Sequence, residues 1–214
     1  METVPVSKHK IRVIGIGPGA PEYLLPAAAR AIEEARVLVG GRRALAQYAG
    51  GGCRTFSIGG DIPAVMDFIR QELAAEDVGV LVSGDPGYYS LLDALRREFS
   101  SGLIEVIPGL SAMQLAFARL ALPWHEASLL SFHGRRPDEK ELIYSKGRIL
   151  GMLTDGKYNS RSIAKLLMKQ GWPGEAQLSI LLRLSYPDEE IMQTTLAGAQ
   201  ELEEKSHGIL IVQG

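Results

Sequence analysis

The chain has 214 residues, 46% of them apolar, with a formal net charge of −2 and a single cysteine, Cys53. That is enough apolar material for one large or two small cored domains. The charge balance gives no pull toward nucleic acid or an anionic membrane, and one thiol excludes an internal disulfide or a cysteine metal cluster. No apolar run nears the ~18 residues of a membrane span. The opening "METVPVSKHK" has no apolar centre like that of a signal peptide and reads as a short, partly disordered tail. A soluble cytoplasmic protein is expected.

The first half alternates two periodicities. "IRVIGI" (11–16) is a strand. "YLLPAAARAIEEA" (23–35) is a helix with Leu25, Ala28, Ile32 and Ala35 on one face. "RVLVGG" (36–41) is a second strand. "DIPAVMDFIRQELAAE" (61–76) is a helix with Asp61 as N-cap and Pro63 in its first turn. "VGVLVS" (78–83) and "LIEVI" (103–107) are strands, and helices follow over 88–99 and 111–122. Strands apolar throughout, alternating with helices, predict a parallel sheet covered on both faces.

"PWHEA" (123–127) reads as a hinge, since Pro123 cannot continue a helix. Beyond it strands succeed one another: "SLLSF", "RILGML", "LSILLRL", "EIMQTTL" and "GILIVQ". One helix lies over 159–171, with Asn159 as cap and Gly171 as stop, and a short one lies near "AGAQELEEK". This pattern predicts a mixed sheet. The expected fold is therefore α/β, with a parallel-sheet N-terminal domain over 10–122 and a mixed-sheet C-terminal domain over 125–214.

Three strands of the first domain end in glycine and proline: "GIGPGAP" (15–21), "SGDPGYY" (83–89) and "IPGLSA" (107–112). Ligands of open α/β sheets bind at that strand edge, where glycine permits close approach of backbone. A dinucleotide fingerprint fits poorly. Pro18 and Pro21 replace amide donors, and the second strand ends in Gly40-Gly41 without a ribose-binding acid. His9, His125, His133 and His207 lack metal-ligand spacing, and neither a P-loop nor a nucleophile elbow is present. A cofactor is expected to carry the chemistry.

"GIGPGAPEYL", "SGDPGYYS", "PGLSAMQLA" and "LTD" (153–155), in this order, resemble the motifs of the tetrapyrrole methylases from about residue 11 to the C-terminus. "VGGRRAL" (39–45) and "LLSFHGR" (129–135) resemble the branch that methylates carbon 5 of a precorrin in cobalamin synthesis, the CbiE type of precorrin-6Y C(5,15)-methyltransferase. The resemblance implies two α/β domains, S-adenosylmethionine in a cleft between them, a precorrin substrate and a homodimer. Some such enzymes are fused to a carbon-15 methylating and decarboxylating module, for which this chain is too short. That module is then an expected partner.

The family's cofactor contacts fall on Pro18, Asp85, Tyr88, Ser111, Ala112, Leu153, Leu184 and His207. Two positions depart from the pattern. The common serine pair is Ser111-Ala112 here, and a frequent glutamate is Arg183. Asp85 is also the candidate for a catalytic base, against the plainer role of holding its loop or the cofactor. Precorrins carry carboxylates, which arginine grips through a planar fork. His133, Arg135 and Arg42, with Arg43 and Arg136, are candidates for binding them, against the reading of a solvated loop. No metal ligand set is expected. Rival readings are methylation of another precorrin carbon, diphthine synthesis, RNA 2′-O-methylation and a non-enzymatic nucleotide-binding module.

Overall fold

The computed structural model describes residues 8–214; the start of the expected N-terminal tail lies outside them. Contacts divide the chain into two compact units, the first running through Ser111 and the second from Ala112 to Gly214.

The first unit holds strands β1 (Ile11–Gly15), β2 (Val37–Gly40), β3 (Arg54–Ser57), β4 (Val78–Val82) and β5 (Ile104–Ile107). They form one parallel sheet in the order β3-β2-β4-β1-β5. The three central strands are Val/Ile/Leu-rich, and β2 and β4 are buried at every position, as a sheet covered on both faces requires. Helices α1 (Pro26–Glu33), α2 (Arg42–Tyr48), α3 (Ile62–Glu72) and α4 (Leu92–Glu98) make the crossovers. One core layer packs Val13, Val39 and Val80 with Val65 and Ile69 of α3 and Leu95 of α4. The other packs Ile14, Leu38 and Leu81 with Ala28 and Ile32 of α1.

Asp61 caps α3 as expected, its side chain accepting the Ala64 N–H at 3.0 Å. Two local expectations shift. Helix α1 begins at Pro26 rather than Tyr23, because Leu25 keeps an extended backbone at the N-cap, which leaves it 39% exposed and off the helical face. Helix α4 begins at Leu92; the chain from Pro86 to Tyr89 is turn instead. Helix α2 and strand β3 were not foreseen. Neither carries a strong apolar pattern: α2 buries no residue fully, and three of the four β3 residues are exposed at the sheet edge.

The second unit opens with α5 (Ala112–Arg119), whose Met113 and Phe117 lie against Gly151. This places α5 with the second sheet, ahead of the boundary expected near residue 124. The sheet comprises β6 (Ser128–Ser131), β7 (Ile149–Leu153), β8 (Gln177–Leu182), β9 (Glu190–Thr195) and β10 (Ile209–Gln213), in the order β6-β7-β10-β8-β9. Only the β6–β7 pair is parallel, so the sheet is mixed. Helix α6 (Ser160–Lys169) is closed by a reciprocal capping box between Asn159 and Ser162 and followed by Gly171 at φ 90°. Phe132, Leu142, Leu150, Met152, Ile163 and Leu167 form a core with no exposure. The indole of Trp172 donates to the Leu142 carbonyl there at 2.7 Å. The short helix expected near residue 197 is a single 3-10 turn, Gly198–Gln200. Trp124 is 44% exposed, whereas Phe117 and Phe132 are wholly buried.

The tightest backbone approach in the first unit lies at the carboxyl ends of β1, β4 and β5. A Cβ on Gly15 would stand 2.6 Å from the Gly109 nitrogen and 2.7 Å from the Gly84 oxygen. Gly15→Ala is therefore expected to destabilise the protein by about 1–3 kcal/mol in urea or thermal unfolding. Gly51→Ala, where a Cβ meets nothing within 4 Å, is expected to stay within about 0.5 kcal/mol of the parent. Equal costs at the two positions would contradict the crowding.

Candidate functional site

All five strands of the first sheet point the same way, and β4, β1 and β5 are neighbours. Their carboxyl ends therefore bring the three glycine loops side by side. The loops are tied directly. Gly84 N–H donates to the Gly17 carbonyl at 2.8 Å, and Gly17 N–H returns a bond to Gly84 O at 3.4 Å. Gly17 and Gly84 sit at φ 77° and 71°, a region that glycine enters without strain. A Cβ on Gly109 would collide with the Gly84 carbonyl.

Asp85 joins two of these loops. Its Oδ1 accepts the Gly87 N–H at 2.8 Å and its Oδ2 the Gly109 N–H at 3.1 Å. Both carboxylate oxygens thus hold main chain. Ser90 Oγ donates to the Pro86 carbonyl and accepts the Leu92 N–H, which fastens the loop to the start of α4. Tyr88 is half-buried with Tyr89 edge-on to it, ring centroids 4.8 Å apart. Burial, reinforced by Tyr89, pushes the Tyr88 hydroxyl above the usual phenol range, so it stays protonated. Pro18 is half-buried in the first loop, Ser111 is buried, and Ala112 opens α5. Arg42 and Arg43 are exposed at the start of α2, on the same edge but beyond β4.

The second sheet has an analogous edge. Ser131 pairs with Leu153, and Ile209 pairs with both Leu153 and Leu181. The segments after β6, β7 and β8 and the segment before β10 consequently meet at one end. That brings His133 and Arg135, Leu153, Leu184 and His207 to one edge. His133, Arg135 and His207 are exposed, Leu153 is half-buried and Leu184 is buried. Thr154 Oγ1 bonds both the N–H and the carbonyl of Gly208, clasping β7 to the start of β10. Arg183 faces Asp188 in an ion pair and lies over the Tyr186 ring at 5.0 Å, so this unexpected cation closes its own loop. Arg119 of α5 pairs with Glu189 at 2.6 Å and holds its carboxyl below the ordinary range.

Asp155 was visible only as part of "LTD". It accepts three main-chain N–H bonds: Tyr158 at 2.7 Å, Lys157 at 2.9 Å and Gly134 at 3.0 Å. Those donors, Tyr158 and Gly134 foremost, hold its carboxyl below the usual carboxylate value. No spacing rule signals such a role; an aspartate two residues past a buried strand is the only cue.

Backbone strain gathers at the same two edges. Among the described residues, five non-glycine residues have positive φ, and four of them are Tyr89, Arg183, Ser185 and His207. Each costs on the order of 1–3 kcal/mol and persists where the surroundings enforce it, commonly at ligand sites. No group of three or more His, Cys, Asp or Glu suited to a metal occurs among the described residues, and no helix there is long and apolar enough to cross a membrane.

The chain is similar to known proteins over most of its length. The model of the Tetrapyrrole (Corrin/Porphyrin) Methylases matches residues 10–200. A cobalt-precorrin-7 C(5)-methyltransferase of Salmonella typhimurium is 35% identical over 163 residues, covering 75% of this chain and 79% of that protein. A precorrin-6Y C(5,15)-methyltransferase [decarboxylating] of Sinorhizobium sp is 31% identical over 85% of this chain and 44% of its own. Among solved structures, the precorrin-6Y methylase (cbiE) of Archaeoglobus fulgidus superposes with a TM-score of 0.72 at 26% identity, covering 96% of this chain and 97% of that one. Two α/β sheets with glycine loops at strand ends, and a family match spanning nearly the whole chain, make this protein a methyltransferase of the tetrapyrrole (corrin/porphyrin) methylase family.

Proposed function

We propose that the chain methylates carbon 5 of cobalt-precorrin-7 in cobalamin synthesis, with S-adenosylmethionine as donor. The observation that carries the reading is the 35% identity with a cobalt-precorrin-7 C(5)-methyltransferase over three quarters of the chain. The cobalt belongs to the substrate's ring. The reading includes a homodimer working in the cytoplasm, in concert with the activity that methylates carbon 15; the Sinorhizobium relative carries both positions in its name.

The donor set at the first edge fits the cofactor. It consists of one carboxylate, the hydroxyls of Tyr88 and Ser111, and main chain drawn close by glycine. That chemistry suits a cationic sulfonium with sugar and amide-like groups. Pro18, Asp85, Tyr88, Ser111 and Ala112 are assigned to cofactor binding, with Leu153, Leu184 and His207 as its further contacts. When bound, S-adenosylmethionine supplies a methyl carbon already activated by positive sulfur.

A conjugated, electron-rich macrocycle carbon needs no protein nucleophile to accept that methyl. The protein's task is to orient and to exclude water, which contributes at most about 7–11 kcal/mol to lowering a barrier. Asp85 is assigned to loop and cofactor positioning rather than to proton removal, since both its oxygens already accept main-chain N–H bonds. His133, Arg135 and Arg42 are assigned to the carboxylates of the substrate.

Incubation with cobalt-precorrin-7 and methyl-labelled S-adenosylmethionine is expected to place the label on carbon 5 by NMR. Label on another carbon, or none transferred, would overturn the assignment. Arg135→Ala removes a charge-assisted contact and is expected to raise the tetrapyrrole KM about tenfold or more. Binding of S-adenosylhomocysteine in calorimetry should stay unchanged. An unaltered KM would remove Arg135 from the substrate site.

A further inference from the structure

The loop after β6 carries two of the proposed substrate groups, His133 and Arg135, on exposed backbone outside any regular element. Three main-chain N–H groups at its start donate hydrogen bonds. Phe132 N–H donates to the Leu153 carbonyl at 2.8 Å, His133 N–H to Ser131 Oγ at 3.2 Å, and Gly134 N–H to Asp155 Oδ2 at 3.0 Å. The last is the only one of the three that reaches beyond the strand ends to the turn of the loop, where Gly134 sits at φ 68°.

The other oxygen of Asp155 serves a different segment. Oδ1 accepts the N–H groups of Lys157 and Tyr158, closing the turn that leads into the Asn159 cap of α6. The Tyr158 ring in turn lies 5.2 Å from that of the buried Phe132. One carboxylate therefore splits its two oxygens between the substrate loop and the rigid start of a helix. Gly134 has no side chain to anchor it, and its φ is one of several open to glycine. Its direction is set by the bond to Asp155.

The geometry points to Asp155 as the positioning residue that fixes how His133 and Arg135 leave β6, and so governs recognition of the acidic tetrapyrrole. The inference rests on the substrate reading of this loop. The hydrogen bonds of Asp155 go to main-chain N–H groups, His133 lies near enough to help hold its carboxyl low, and Asp155 takes no part in the methyl transfer.

Asp155→Asn separates the two oxygens. The amide oxygen can still accept from Lys157 and Tyr158, but the amide NH2 set against Gly134 N–H opposes a donor to a donor. In hydrogen exchange followed by NMR, the Gly134 amide should exchange about tenfold faster, while Lys157 and Tyr158 stay protected. The tetrapyrrole KM should rise about tenfold, with kcat and S-adenosylhomocysteine affinity within about twofold of the parent. Unchanged exchange at Gly134 would overturn the clamp. Faster exchange with an unchanged KM, in a protein whose Arg135→Ala variant does raise KM, would overturn the positioning role while sparing the substrate reading. Loss of Lys157 and Tyr158 protection together with cofactor affinity would also overturn it, by making Asp155 a general support of the fold. A KM unmoved by Arg135→Ala as well strikes the substrate reading instead, and the positioning role with it.

Discussion

Between Gly15, Gly84 and Gly109 there is no room for a Cβ. Three parallel strands end together there, and their loops turn so tightly that main chain meets main chain. A side chain at Gly15 or Gly109 would push the loops apart and open the edge on which the cofactor is proposed to rest. The parallel order β4-β1-β5 makes the crowding possible. The buried Val/Ile/Leu faces of those strands hold the order in place.

Crowded loops still need a tie that resists sliding, and both units use the same one. An aspartate two or three residues past a strand turns its carboxylate onto the N–H groups of a neighbouring loop. Asp85 does so toward Gly109 in the first unit, and Asp155 toward Gly134 in the second. Hydrogen bonds to an ionised acceptor are stronger than neutral ones and directional. They fix the loop without filling the space that a ligand needs. The strained residues Tyr89, Arg183, Ser185 and His207 lie at the same two edges, so the folded cores support conformations that short peptides of these sequences would abandon.

Much of this was legible in the chain itself. The central strands announce themselves as unbroken apolar runs, and Asp61 and Asn159 as caps before periodic apolar faces. The glycine loops could be placed at strand ends because each follows such a run directly. What escaped had weak patterning or depended on distant partners. Helix α2 and β3 lie at the sheet edge, where half-exposure dilutes the pattern. Helix α5 reads as an ordinary crossover, and only its Met113 and Phe117 against Gly151 show that it belongs with the second sheet. Asp155 is one acid among 25 in the sequence. Its role follows from the β6–β7 pairing, which sets residues about twenty positions apart side by side.

Chemistry by placement rather than by a reactive side chain requires the donor to lie against the glycine loops. A crystal structure with S-adenosylhomocysteine bound tests this most directly. The ligand should lie along the main chain of 17–20, 85–88 and 109–112, with Gly15, Gly84 and Gly109 still in contact beneath it. Density at the opposite, amino-terminal edge of the sheet, or loops that part to admit the ligand, would contradict the account.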